Sequence, residues 1–173
     1  VILPPPNYAG QSFPGLTIDA ITPIVSDTIT VATSEIMTDI NIELQITHTW
    51  QGDMFIDIEH LGLVQTIWAG VCGGNDNINA TADDEGTETY CTVIGGGPAD
   101  AIFYPPSAAG LGPLSIFDGL DLAGDWTLTI EDTFPYSDDG TLNAWAVVLP
   151  SGPGTPVCPE QNDETCFLCA TTE

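Results

Sequence analysis

The sequence predicts an all-β fold, an antiparallel β-sandwich or jelly roll of about eight strands with long loops. Three observations point there. Apolar and polar residues alternate at a period of two in several stretches. Glycine and proline, 18 and 14 of the 173 residues, interrupt those stretches at short intervals. No stretch carries a helical period. Half-apolar strands must cover one another's apolar faces, and two facing sheets do that.

The clearest strand follows Gly52, where Met54, Ile56 and Ile58 point one way and Asp53, Phe55, Asp57 and Glu59 the other. One face is core and the other carboxylate. Upstream, Ile40, Ile42, Leu44 and Ile46 alternate with Asp39, Asn41, Glu43 and Gln45, and Gln51-Gly52 supplies the turn between the two strands. Short apolar runs from Leu16 to Val31, broken by Pro23, read as one or two strands, and Val64 to Ala69 reads as another. The proline-rich stretch 98–119 reads as a surface crossing. Trp126, Leu128 and Ile130 share the face of a strand that ends at Asp132, and Trp126 and Trp145 read as core. After a turn at Ser137 to Gly140, the closing strand Thr141 to Leu149 is expected to place Leu142, Ala144, Ala146 and Val148 on one side. The expected organisation is a proline-rich arm over 1–15, a sandwich over 16–150 and a cysteine-containing tail over 151–173. Val1-Ile-Leu ahead of three prolines reads as a segment able to add to a neighbour's sheet edge, and Val1 as a processed start.

Charge excludes more than it suggests. There is no Lys and no Arg against 25 Asp and Glu, a formal charge of -25 with both His neutral. Phosphate backbones and anionic lipid surfaces need cationic side chains, so nucleic acid and anionic membranes are excluded as partners. No apolar run reaches the 18 or so residues of a membrane span. Self-repulsion on this scale calls for salt or bound cations. The five cysteines, Cys72, Cys91, Cys158, Cys166 and Cys169, suit disulfides and an extracellular or cell-surface setting, and their odd number leaves one over.

Cys72 and Cys91 bracket the most polar stretch. Asn75, Asp76, Asn77, Asn79, Thr81, Asp83, Asp84 and Glu85 carry oxygen donors, and Gly73, Gly74 and Gly86 let the backbone curl. Calcium, a hard cation, takes six to eight such oxygens. The spacing is not that of an EF-hand, since Ala82 stands where its glycine belongs. The expectation is a calcium loop pinned by a Cys72–Cys91 disulfide, against a plain solvated loop with the same pin. Asn79-Ala-Thr81 is also a glycosylation sequon.

In order, the chain carries His48-Thr, Gly52-Asp-Met, an Asn-rich loop ending in Asp83-Asp-Glu85, Tyr104-Pro-Pro, Phe117-Asp-Gly, Gly124-Asp-Trp-Thr-Leu-Thr-Ile-Glu-Asp132 and Asp139-Gly-Thr-Leu-Asn-Ala-Trp145. Over about residues 17–149 this order resembles the P domain, or P/Homo B domain, of secreted subtilisin-like proprotein convertases and bacterial proteases. The resemblance implies a non-catalytic jelly roll that often binds calcium and stabilises an attached protease, or occurs without one. The matching positions are His48, Asp53, Asp83, Asp84, Gly124, Trp126, Asp132, Asp139, Gly140 and Trp145. One departure is Glu59-His-Leu-Gly-Leu63, where relatives read Ser-Pro-x-Gly-Thr. Loop and matching positions together give Asp53, Asn77, Asp83, Asp84, Glu85 and Asp132 as the expected Ca2+ ligands.

No catalytic residue emerges. There is no Gly-x-Ser-x-Gly, and His48 reads as a hydrogen-bonded strand residue. The expected function is a non-catalytic, calcium-binding extracellular module acting as a structural or assembly subunit, through self-association or an attached protein domain. The alternative is an accessory domain that stabilises a subtilisin-like serine protease. A third reading places a carbohydrate-binding platform on Trp50, Phe55 and Trp68.

Overall fold

The structure, a computed structural model, describes residues 7–86, 102–104, 111–136 and 138–150. It is all-β and sandwich-like, as the alternation predicts. Among the described residues ten strands run in chain order: β1 (Asn7–Ser12), β2 (Leu16–Ile18), β3 (Ile24–Val31), β4 (Asn41–His48), β5 (Met54–His60), β6 (Leu63–Ala69), β7 (Ile78–Ala82), β8 (Ile102–Tyr104), β9 (Gly124–Asp132) and β10 (Gly140–Leu149). One sheet has the order β1-β10-β4-β7-β8, with β2 also on β10, and the other has β3-β9-β5-β6. All pairings are antiparallel except β7 with β8.

The facing sides carry the expected residues. Ile42, Leu44 and Ile46 of β4, Met54, Ile56 and Ile58 of β5, and Trp126, Leu128 and Ile130 of β9 are all buried. Alternation on one edge of the period-two pattern is enough to aim them inward, because one face of each sheet is shielded by the other. Trp126 and Trp145 are core, as expected.

Within 98–119, read as a surface crossing without regular structure, residues 102–104 form β8 against β7 and 114–117 a 3-10 turn; four further features depart from the sequence reading. Residues 7–12, assigned to the arm, form β1 against the C-terminal half of β10. Residues 78–82, assigned to a loop, form β7 against β4. The third departure is in β10, where a bulge between Leu142 and Ala144 shifts the register by one residue. The bulge flips everything after it. Leu142, Trp145 and Val147 lie opposite the inward residues Ile46, Leu44 and Ile42, whereas Ala144, Ala146 and Val148 lie opposite Gln45, Glu43 and Asn41. The expected single face of Leu142, Ala144, Ala146 and Val148 is therefore split between the two sides of the sheet. The fourth concerns Trp68, which is fully buried in the core and donates its indole N–H to the Gln51 carbonyl at 3.2 Å.

Gly140 shows how closely the start of β10 approaches β4. A Cβ there would lie 2.5 Å from both the Thr47 carbonyl oxygen and His48 Cδ2. We expect Gly140→Ala to destabilise by about 1–3 kcal/mol, the range for overpacking a fixed site. Urea unfolding of the purified variant measures this, with a lowered midpoint at unchanged slope.

Candidate functional site

The six expected calcium ligands fall into two separate acidic corners. The first lies after β7, where the chain leaves the sheet in a turn closed by the Gly86 N–H on the Asp83 carbonyl at 3.0 Å. Asp83 Oδ1 also accepts the Glu85 N–H at 2.9 Å. Asp84 reaches across to the 3-10 turn Leu114–Phe117 and accepts the Leu114 and Ser115 N–H groups at 2.9 and 2.8 Å. That turn begins after Pro113 and has no capping side chain of its own. Asp84 supplies the missing acceptors for its free N–H groups.

Two further carboxylates join this corner from distant parts of the chain. Burial pushes Asp39, just ahead of β4, above the usual carboxylate range, and the charges of Asp83, Asp118 and Asp84 push it further, against one backbone hydrogen bond. Glu85 is raised by burial and then by Asp39 and Asp83. Asp118, directly after the 3-10 turn, is raised by burial and by Asp84. Asp39 and Asp118 escape sequence reading because each stands alone in its stretch. Only the sheet crossing brings residues 39, 83–85 and 118 to one end.

The second corner is at the opposite turn of β4 and β5. His48 is fully buried; its Nδ1 accepts the Trp50 N–H at 3.1 Å, and its Nε2 faces Asp132 Oδ2 at 3.4 Å. Asp132, also buried, accepts the Phe134 N–H on its other oxygen at 2.8 Å. Asn77 Oδ1 accepts the His48 N–H at 3.1 Å. Asp53 is raised by burial and by the charges of Asp132 and Asp138, with His48 pulling the other way. Asp138 is bound by the Thr49 hydroxyl at 2.7 Å. In this corner Asn77 and Asp132 thus act as hydrogen-bond acceptors that fix the β4–β5 connection. Among the described residues no three His, Cys, Asp or Glu side chains meet closely enough to enclose an ion.

Neither histidine is placed for catalysis. His60 is fully buried, with Nδ1 3.0 Å from the Asp125 carbonyl and Nε2 2.7 Å from the Asp121 carbonyl. Its ring stacks on Trp126 at 3.9 Å and 5°. It fastens the entry to β9. The expected aromatic platform does not assemble, because Trp68 is in the core while Trp50 and Phe55 are partly exposed. Cys72 is disulfide-bonded. Its expected partner Cys91, and Cys158, Cys166 and Cys169, lie outside the described residues.

No family model matches the sequence, and no curated protein matches it. Solved structures that the chain is similar to include two of a bacterial serine protease. One is the serine protease of Aeromonas sobria, with TM-score 0.48 and 13% identity over 86% of this chain and 28% of that one. The other is the same organism's serine protease in complex with its chaperone, with TM-score 0.47 and 12% identity over 86% of this chain and 27% of that one. The chain thus spans a little over a quarter of the length of those proteins. No helix among the described residues is long and apolar enough to cross a membrane.

The two signs of proton affinity give a pH test. A carboxyl raised in the fold is protonated there first, so its contribution is full below the ordinary carboxylate range, about pH 4, and is lost as pH rises through the raised value. Asp39, Glu85 and Asp118 behave this way. Asp121 is held low chiefly by the Ala123 N–H and then the Ser34 hydroxyl, so its contribution is lost as pH falls through the lowered value. In metal-free buffer we expect Asp39→Asn to raise the melting temperature at pH 7 and to leave it nearly unchanged at pH 4. Melting curves of variant and parent across that range check the difference.

Proposed function

We propose that the chain is a non-catalytic, extracellular β-sandwich module of the P-domain type, stabilised by calcium and serving as a structural or assembly subunit. The observation that carries this reading is the first acidic corner. Asp39, Asp83, Asp84, Glu85 and Asp118 converge there in a chain with no lysine or arginine to neutralise them. A hard divalent cation is the chemistry that such oxygens suit. Asp39, Asp83, Glu85 and Asp118 are the side chains that would hold it, with Asp84 remaining the cap of the 3-10 turn. Side-chain rotation has to draw them inward, and the repulsion relieved is what makes that rotation favourable. Asp53, beside Asp132 and Asp138, offers a weaker second position.

Assembly follows from the same charge. Two copies at -25 repel unless divalent ions screen or bridge them, so self-association is expected to need calcium. The order of sequence motifs supports the alternative that the module sits beside a subtilisin-like protease domain and stabilises it.

Ions that bind only the folded state raise its stability by mass action. We expect millimolar calcium to raise the melting temperature of the chelated protein at constant ionic strength. The Asp39→Asn, Glu85→Gln pair should abolish most of that rise. A melting curve indifferent to calcium would sink the proposal. Sedimentation velocity with and without calcium separates the two roles: growth in particle size selects assembly, and a persistent monomer selects the accessory role.

A further inference from the structure

The outer face of the β1-β10-β4 layer carries a groove that the functions above do not use. It has a volume of about 160 Å³ and is lined by Tyr8, Gln11, Phe13, Glu43, Gln45 and the alanines of β10. Its origin is in the sequence. β1 pairs with β10 as far as Ser12 opposite Trp145, and β2 resumes the pairing at Leu16 opposite Leu142. Pro14 and Gly15 interrupt the strand between them, with Gly15 at φ 59°. The β10 bulge falls at the same level and turns Ala144 and Ala146 outward. Small side chains therefore floor a trench whose walls are β1 on one side and β4 on the other. Strand spacing sets those walls about 10 Å apart.

The walls are built for a particular chemistry. Tyr8 donates its hydroxyl to Glu43 at 3.0 Å, so its ring is tied from β1 across to β4. Burial, and then the bond to Glu43 and its charge, raise the proton affinity of that phenol. Phe13, 76% exposed, stands at the broken end of the edge. Gln11 and Gln45 are exposed on opposite walls, and each amide both donates and accepts. A pinned ring, an exposed second ring, two amides and a carboxylate form a site for a ligand with an apolar face and hydroxyls around its edge.

We propose that this groove binds a neutral saccharide, about one sugar ring at a time along a chain. The ring's C–H face stacks on Tyr8 or Phe13. Its hydroxyls donate to Glu43 and exchange hydrogen bonds with Gln11 and Gln45. Uronic or sulfated sugars are rejected, because the chain has no Lys or Arg to meet their charge and Glu43 repels it. A proline-rich peptide fits less well: it stacks on aromatics but has no N–H for Glu43. Pre-fixing Tyr8 lowers the ordering cost of binding. The site is independent of the acidic corners, so it stands or falls separately from calcium.

Titration calorimetry of the folded chain against cellohexaose, xylohexaose, mannohexaose and chitohexaose tests this, with polygalacturonate and a synthetic Val1–Tyr8 peptide as controls. At least one neutral oligosaccharide should bind, and polygalacturonate should not. Tyr8→Ala should weaken that binding about tenfold, the loss of one stacked ring. Gln45→Ala, an exposed position with little bearing on folding, should weaken it with an unchanged melting temperature. The proposal is overturned if none of the four neutral sugars binds, if Gln45→Ala binds as the parent does, or if the peptide alone occupies the groove.

Discussion

Unneutralised negative charge is the constraint that shapes this molecule. With 25 carboxylates and no lysine or arginine, ion pairs can come only from two histidines and the amino terminus. Carboxylates are instead held by neutral donors. Asp19 takes the Ile21 and Thr22 N–H groups, Asp84 caps a turn, and Asp121 takes the Ala123 N–H and the Ser34 hydroxyl. Asp27 accepts the Trp145 indole N–H at 2.7 Å, and Asp57, Asp125 and Asp138 each accept a threonine hydroxyl. Charge-assisted bonds of this kind are stronger than neutral ones and need no buried cation. At Asp39, Glu85 and Asp118, burial and neighbouring carboxylates outweigh such donors, and the carboxyls are pushed toward their protonated forms instead.

The polar interior obeys the same economy. His48 and His60 are both fully buried, and both bind backbone groups across strand ends. They tie the β4–β5 and β5–β9 ends of the sandwich, where a sheet otherwise frays. A catalytic role would need a ring nitrogen open to a substrate, and these four nitrogens face backbone or Asp132. Among the described residues, the polar groups left open to solvent include oxygen clusters at the loop ends and the exposed amides of Gln11 and Gln45 on one sheet.

The groove and the bulge in β10 are one event. Had the alternation continued unbroken from Leu142, Ala144 and Ala146 would face the core and Trp145 the solvent. The inserted residue puts a large indole inside and two small methyls outside. Packing and surface shape are set together, because in a strand the two faces cannot be chosen independently.

The sequence by itself determined the fold class, the inward faces of β4, β5 and β9, the core role of Trp126, and the absence of lysine and arginine. Each of these is a local property, either a period of two or a composition. Only the tertiary structure decided the rest. The edge strand β1 has no alternation of its own and exists because β10 offers it a ladder. The strand β7 hides in a polar loop for the same reason, and Trp68, which looked like an exposed platform, is drawn inward by the bulge between Ile56 and Asp57 in its pairing with β5. The convergence of Asp39 and Asp118 on residues 83–85 links positions up to 79 apart in the chain, a distance no local pattern encodes.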